Sequence, residues 1–179
     1  MILILTVSRG AYLAGAISLR DTGQYRGIAG EPQTLWPPGT SLLYSTASRV
    51  GGISPERLTG SINLLAYLLT AVAMWILLVA GLRSAWLAAL GFCTILLNGF
   101  VLSMTNKLWS DPIALAFITS SLALLLLSRR RKQHETTLFC ASAGAASLAI
   151  AFRFAMLAVV PMMIFAAAAI SRRRRSVMP

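Results

Sequence analysis

Acid is what this chain has least of. Five Asp and Glu stand against sixteen Lys and Arg in 179 residues, and the single histidine, His134, sits beside a basic run. The two cysteines, Cys93 and Cys140, fall inside apolar segments. They read as small packing residues, with no disulfide framework and no metal-ligand spacing. A glycine-rich phosphate loop and a serine–histidine–acid set are also missing. These absences exclude a nucleotide-dependent pump and a hydrolase of the soluble kind. No internal repeat is visible, and an inverted repeat is what a transporter would be expected to carry. Charged residues make up only 12% of the chain, about half the share usual in soluble domains.

What fills the space is apolar: 57% hydrophobic residues and a mean hydropathy of +0.74. Both figures point to a polytopic membrane protein. The net charge of +11 would suggest nucleic acid in a soluble protein. Here eight of the sixteen cations sit in two runs, Arg129-Arg130-Arg131-Lys132 and Arg172-Arg173-Arg174-Arg175, each closing an apolar segment. That is the positive-inside pattern, with anionic headgroups as counter-charge and no nucleic-acid partner.

Six spans are expected. Met1–Leu19 is apolar but interrupted by Arg9, which leaves a signal peptide as the alternative to a first span. Leu58–Leu82, Ala85–Met104, Asp111–Ser128, Thr136–Phe152 and Phe154–Ile170 supply the rest. The small residues Ala141, Ser142, Gly144, Ala145 and Ser147 suggest a close-packing helix rather than a lipid-facing one. Between the first two spans, Pro37-Pro38 opens a short helix with Leu42, Leu43, Ala47 and Val50 on one face, ended by Gly51-Gly52. Ser54-Pro55 then reads as the cap and first position of the next helix. With the basic runs cytoplasmic, four of the five acids (Asp21, Glu31, Glu56 and Asp111) fall on the outer side.

Chemistry is sought in the polar stretches. Asp21 follows the first apolar segment between Arg20 and the Tyr25-Arg26 pair, where a carboxylate can act as a general base. From spacing alone, an ordinary juxtamembrane Asp–Arg pair is the favoured explanation. Asp111, in Ser110-Asp111-Pro112, faces the same side, although acid and proline also suit a helix start. Arg153 is the one charge between Thr136 and Ile170, and with Lys107 and Arg26 it can clamp a phosphate. Snorkelling to the headgroups is the bland reading. Trp36 and Trp109 stand near the two acids, and a belt aromatic before a rigid Pro-Pro turn accounts for the first.

Asp21 with Tyr25, the Pro-Pro turn, Ser110-Asp111-Pro112 and Ala151-Phe152-Arg153-Phe154, in that order, resemble the amino-terminal part of the GT-C superfamily. These are polytopic glycosyltransferases that use polyprenyl-phosphate sugars, including protein mannosyltransferase-like and aminoarabinose transferase-like enzymes. The resemblance implies Asp21 as catalytic base, matches Tyr25 and Asp111 to family positions, and sets Arg153 near the donor phosphate. Lys107 and Arg26 would join it there as phosphate ligands. Asp111 would serve catalysis by orienting the acceptor or supporting the site electrostatically. Tyr25, Trp36 and Trp109 would position substrate. Thr22 stands where many members have a second acid, so no metal cofactor is supported. Trp36 stands where some have Lys. The resemblance covers nearly all of this chain and about the front half of such an enzyme.

The expectation is therefore an all-α, multi-pass bundle of about six spans plus an interfacial helix, residues 1–179 forming one transmembrane domain. It would lie in the plasma (inner) membrane with its catalytic loops outside, its partners being the bilayer and a polyprenyl-phosphate sugar. A non-catalytic assembly subunit or a degenerate fragment of such an enzyme is the alternative.

Overall fold

The structure, a computed structural model, describes residues 2–33, 36–82, 84–98, 110–158 and 161. Among them the chain is all-helical. Six helices follow in order: α1 (Ile2–Thr22), α2 (Gly39–Gly51), α3 (Pro55–Gly81), α4 (Ala85–Leu96), α5 (Asp111–Arg130) and α6 (Glu135–Phe152). A 3₁₀ turn, Lys132–His134, links α5 to α6, and another, Phe154–Ala158, follows α6.

Three of these helices, α3, α5 and α6, are long and apolar enough to cross a membrane, rather than the expected six. The shortfall has a physical reason at α4. Its 12 residues rise about 18 Å, short of the ~30 Å hydrocarbon core. Residues 99–104 of that expected span lie outside the described residues, as do 159, 160 and 162–170 of the last one. Phe154–Ala158, which was to open the last span, is 3₁₀.

Helix ends follow local chemistry. Gly23, at φ 73°, ends α1 and donates its N–H to the Leu19 carbonyl at 3.1 Å. Gly52, at φ 62°, ends α2 in the same left-handed conformation. Pro38 is the N-cap of α2, one residue outside the first turn where it was expected. Pro55 and Pro112 sit in the first turns of α3 and α5.

α5 is the central helix, packed on α3 and on α6. Hydroxyls join the latter pair. Ser121 Oγ donates to the Ser142 carbonyl and Ser142 Oγ to the Ser121 carbonyl, each at 2.8 Å, with both side chains buried. The small residues of α6 serve this contact only in part. Ser142, Ala149 and Phe152 are buried, whereas Ala141, Ala143, Gly144 and Ser147 are exposed. That corrects the expectation of a helix packed on its small face. Cys93 and Cys140 are likewise exposed, on α4 and α6, instead of packed inside.

α2 is built inside out. Gly39, Thr40, Ser41, Tyr44, Ser45 and Ser48 are its buried face, while Leu42 and Val50 point outward. It runs alongside the second half of α1 in the same direction. Ser41 Oγ donates to the Tyr12 carbonyl at 2.9 Å, and Arg49 reaches the Leu19 and Arg20 carbonyls at 2.6 and 2.7 Å. Arg49 thus supplies donors to carbonyls of the last turn of α1. The core gathers where α1, α2, α3, α5 and α6 meet, around Tyr12, Ala16, Tyr44, Ala66, Ile113 and Phe152. Phe117 stacks on Phe152 at 5.3 Å within it.

Candidate functional site

Antiparallel packing of α5 and α6 brings the start of one helix to the end of the other. Asp111 opens α5 and Arg153 caps α6, its N–H bonded to the Ala149 and Ile150 carbonyls. Their side chains form an ion pair through Arg153 Nη1 and Asp111 Oδ1. The two side chains keep 41% and 43% of their surface exposed, so the pair stands open on one side. A guanidinium carries five N–H donors, and a bond through Nη1 does not use them up. The residues expected to act as acid and as phosphate ligand are therefore adjacent.

Beside this pair stands one group that the sequence did not single out. Tyr12, in α1, donates its hydroxyl to Ser110 Oγ at 3.1 Å, directly before Asp111. A tyrosine inside an apolar helix needs such a partner, which is the signal that could have found it. Trp36 meets the Tyr12 ring edge-on, with centroids 5.6 Å apart. Tyr25 in turn donates its hydroxyl to the Trp36 carbonyl at 3.2 Å. Burial pushes the Tyr25 phenol above its ordinary range, against a hydrogen bond with Ser41. Two of the three aromatics expected to position substrate, Tyr25 and Trp36, are thus tied to the Asp111–Arg153 corner through Tyr12.

Glycine makes the corner close. A Cβ on Gly39 would lie 2.5 Å from the Ala151 carbonyl oxygen, so only glycine lets the start of α2 rest on the end of α6. The Trp36-Pro37-Pro38-Gly39 turn is accordingly more than a surface bend. It seats α2 two residues from Arg153.

Asp21 is elsewhere. It lies nine residues past Tyr12 in α1, about 14 Å along the helix axis. Arg20 holds it, Nε to Oδ1 at 2.7 Å and Nη2 to Oδ2 at 3.3 Å. The Arg20 guanidinium, with Arg49 adding to it, draws the Asp21 carboxyl below the ordinary carboxylate range. Asp21 is therefore ionised but a weak base, in the juxtamembrane Asp–Arg pair that was its alternative reading. Arg26 does not join the corner either. Its guanidinium closes on its own loop, to Gln24 Oε1 at 2.6 Å and the Gly30 carbonyl at 3.0 Å. Lys107 and Trp109 lie outside the described residues. Among the described residues no three His, Cys, Asp or Glu side chains gather as metal ligands.

Compared with protein-family models, with curated proteins and with solved structures, the chain matches none. Function must be argued from the corner itself.

Proposed function

We propose that the chain forms the donor-binding part of a membrane glycosyltransferase that moves a sugar from a polyprenyl-phosphate carrier to an acceptor hydroxyl at the outer face. The observation that carries this reading is the half-open Asp111–Arg153 pair at the helix ends, walled by Tyr12, Ser110 and Trp36. A lipid carrier presents a phosphate at the depth where spans begin and end, and a guanidinium there suits it by charge and by fork geometry. In the reaction a carboxylate takes the acceptor O–H proton. The freed oxygen bonds to the anomeric carbon, and the bond from that carbon to the phosphate oxygen breaks. Polyprenyl phosphate departs with the electron pair. Both aspartates are paired with an arginine, so basicity does not choose between them. Asp111 is favoured because it touches the arginine that would hold the donor phosphate, whereas Asp21 lies nine residues past Tyr12 along α1. Positioning and charge stabilisation supply most of the rate.

A second reading has an observation of its own. A carboxylate at the start of α5 and a guanidinium at the end of α6 each suit their helix dipole, so the pair can serve purely to fasten a non-catalytic assembly subunit. Transfer from a polyprenyl-phosphate sugar in reconstituted vesicles separates the two. Arg153→Gln should raise KM for the donor about tenfold or more. Asp111→Asn should lower kcat by about 10²–10⁴, with Asp21→Asn nearly silent. The reverse ranking of the two aspartates would return the base to Asp21. Transfer indifferent to all three substitutions leaves only the fastening role.

A further inference from the structure

Past Gly23 the chain folds back along α1 as a small hairpin. Arg26 and Pro32 bridge, Gly27 N–H donates to the Glu31 carbonyl at 2.8 Å, and Gln33 N–H donates to the Tyr25 carbonyl at 3.1 Å. Its tip is Gly27-Ile28-Ala29-Gly30, with Gly30 at φ 84° making the turn. Two glycines of α1 give the hairpin its bed: Tyr25 lies on Gly15, and Ile28 Cδ1 would stand 3.2 Å from a Cβ on Gly10.

The path matters because it runs toward the spans. Moving from Tyr25 to Ile28, the hairpin retraces α1 from Gly15 to Gly10, past Tyr12. The Tyr12 hydroxyl meets Ser110, the N-cap of α5, so that level is where an apolar span begins. Ile28 is brought back to it, within about one helical turn of Tyr12. Yet the side chain remains 72% exposed. A large apolar side chain on a glycine turn, with the charged Arg26 and Glu31 behind it, has the layout of a tip that enters lipid while its base stays among headgroups.

We propose that the 25–33 hairpin is a membrane-seating finger whose tip, Ile28, enters the boundary between headgroups and acyl chains at the Ser110 end of the spans. The occupant of the exposed tip is the bilayer that α3, α5 and α6 cross. The proposal is independent of any transferase activity. By holding the hairpin at the lipid surface it fixes Tyr25, and through it the Trp36 carbonyl, at a constant depth.

The test places a solvent-sensitive nitrobenzoxadiazole label on Ile28→Cys in a chain whose Cys93 and Cys140 are alanine. A label on Glu56→Cys, exposed at the start of α3, is the aqueous reference. In phosphatidylcholine vesicles the label at 28 should emit to the blue of the reference. Shallow doxyl-labelled lipid should quench it about twofold more strongly. Ala29→Cys, also at the tip, should behave like position 28, which guards against a local effect of losing isoleucine. Emission matching the reference overturns the proposal. So does blue emission indifferent to doxyl lipid, which would mean that Gly10 alone shelters the side chain.

Discussion

At the scale of single residues, charge pairing decides what each carboxylate can do. Asp21 is exposed to water, and the guanidinium of Arg20 is the chief reason its carboxyl titrates below the ordinary 3.8. Because the folded value is depressed, whatever stability the pair gives is complete above the unfolded value and disappears as pH falls through the folded one, below 3.8. The carboxyl ¹³C shift of Asp21 should therefore show a midpoint under 3.8, and Arg20→Gln should move that midpoint upward. A midpoint unchanged by the substitution would mean that Arg20 is not the cause. A transferase relying on Asp21 would then keep its full rate down to that low pH, whereas catalysis favours a base matched to the working pH. The sequence revealed Asp21, Asp111 and Arg153 as charges at the edges of apolar segments, because burial cost makes such charges conspicuous. It could not reveal which acid meets Arg153. That depends on the antiparallel packing of α5 and α6, and on Gly39 admitting α2 against Ala151.

At the scale of helices, hydroxyls replace the hydrophobic effect that lipid removes. α5 meets α6 through the buried Ser121 and Ser142. Where both solvent and interior are apolar, polar contacts and close approach supply the association. Ser121→Ala and Ser142→Ala should accordingly be non-additive. A double-mutant cycle read by thermal unfolding in detergent should give a coupling of about 0.6 kcal/mol, and no more than about 1.7. Additive losses would mean that the two serines merely pack. Helix existence was legible wherever a start signal and a stop signal bracket an apolar run. Ser110-Asp111-Pro112 with the arginine run fixes α5, and Ser54-Pro55 with Gly52 before it fixes α3. Facing was not legible. The leucine stripe of α2 and the small stripe of α6 both mark surfaces, yet neither is the buried one. Apolar patterning reports burial only against water, and here the surroundings can be as apolar as the interior.

At the scale of the whole molecule, the antiparallel helices sort charge to two ends. Asp111, Arg153 and the Tyr12 hydroxyl define one end. At the other, Arg130 donates to the Ala80 carbonyl at 2.7 Å, next to Arg129 and Arg131. If this axis is the membrane normal, the positive-inside rule predicts that the clustered cations keep the arginine end in the cytoplasm. The consequence is measurable in a chain whose Cys93 and Cys140 are alanine. A membrane-impermeant maleimide added to intact cells should modify Glu31→Cys, and modify Arg131→Cys only after permeabilisation. Position 31 is the more informative, because the seated hairpin holds it at the lipid surface rather than far into water. Reaction at 131 in intact cells would invert the topology. Arg153 would then face a cytoplasmic pool of nucleotide and phosphate rather than an outer-leaflet carrier. A guanidinium open to that pool would be saturated by whichever anion is commonest. Selective use of a lipid-borne phosphate therefore depends on the Asp111–Arg153 end facing away from the cytoplasm.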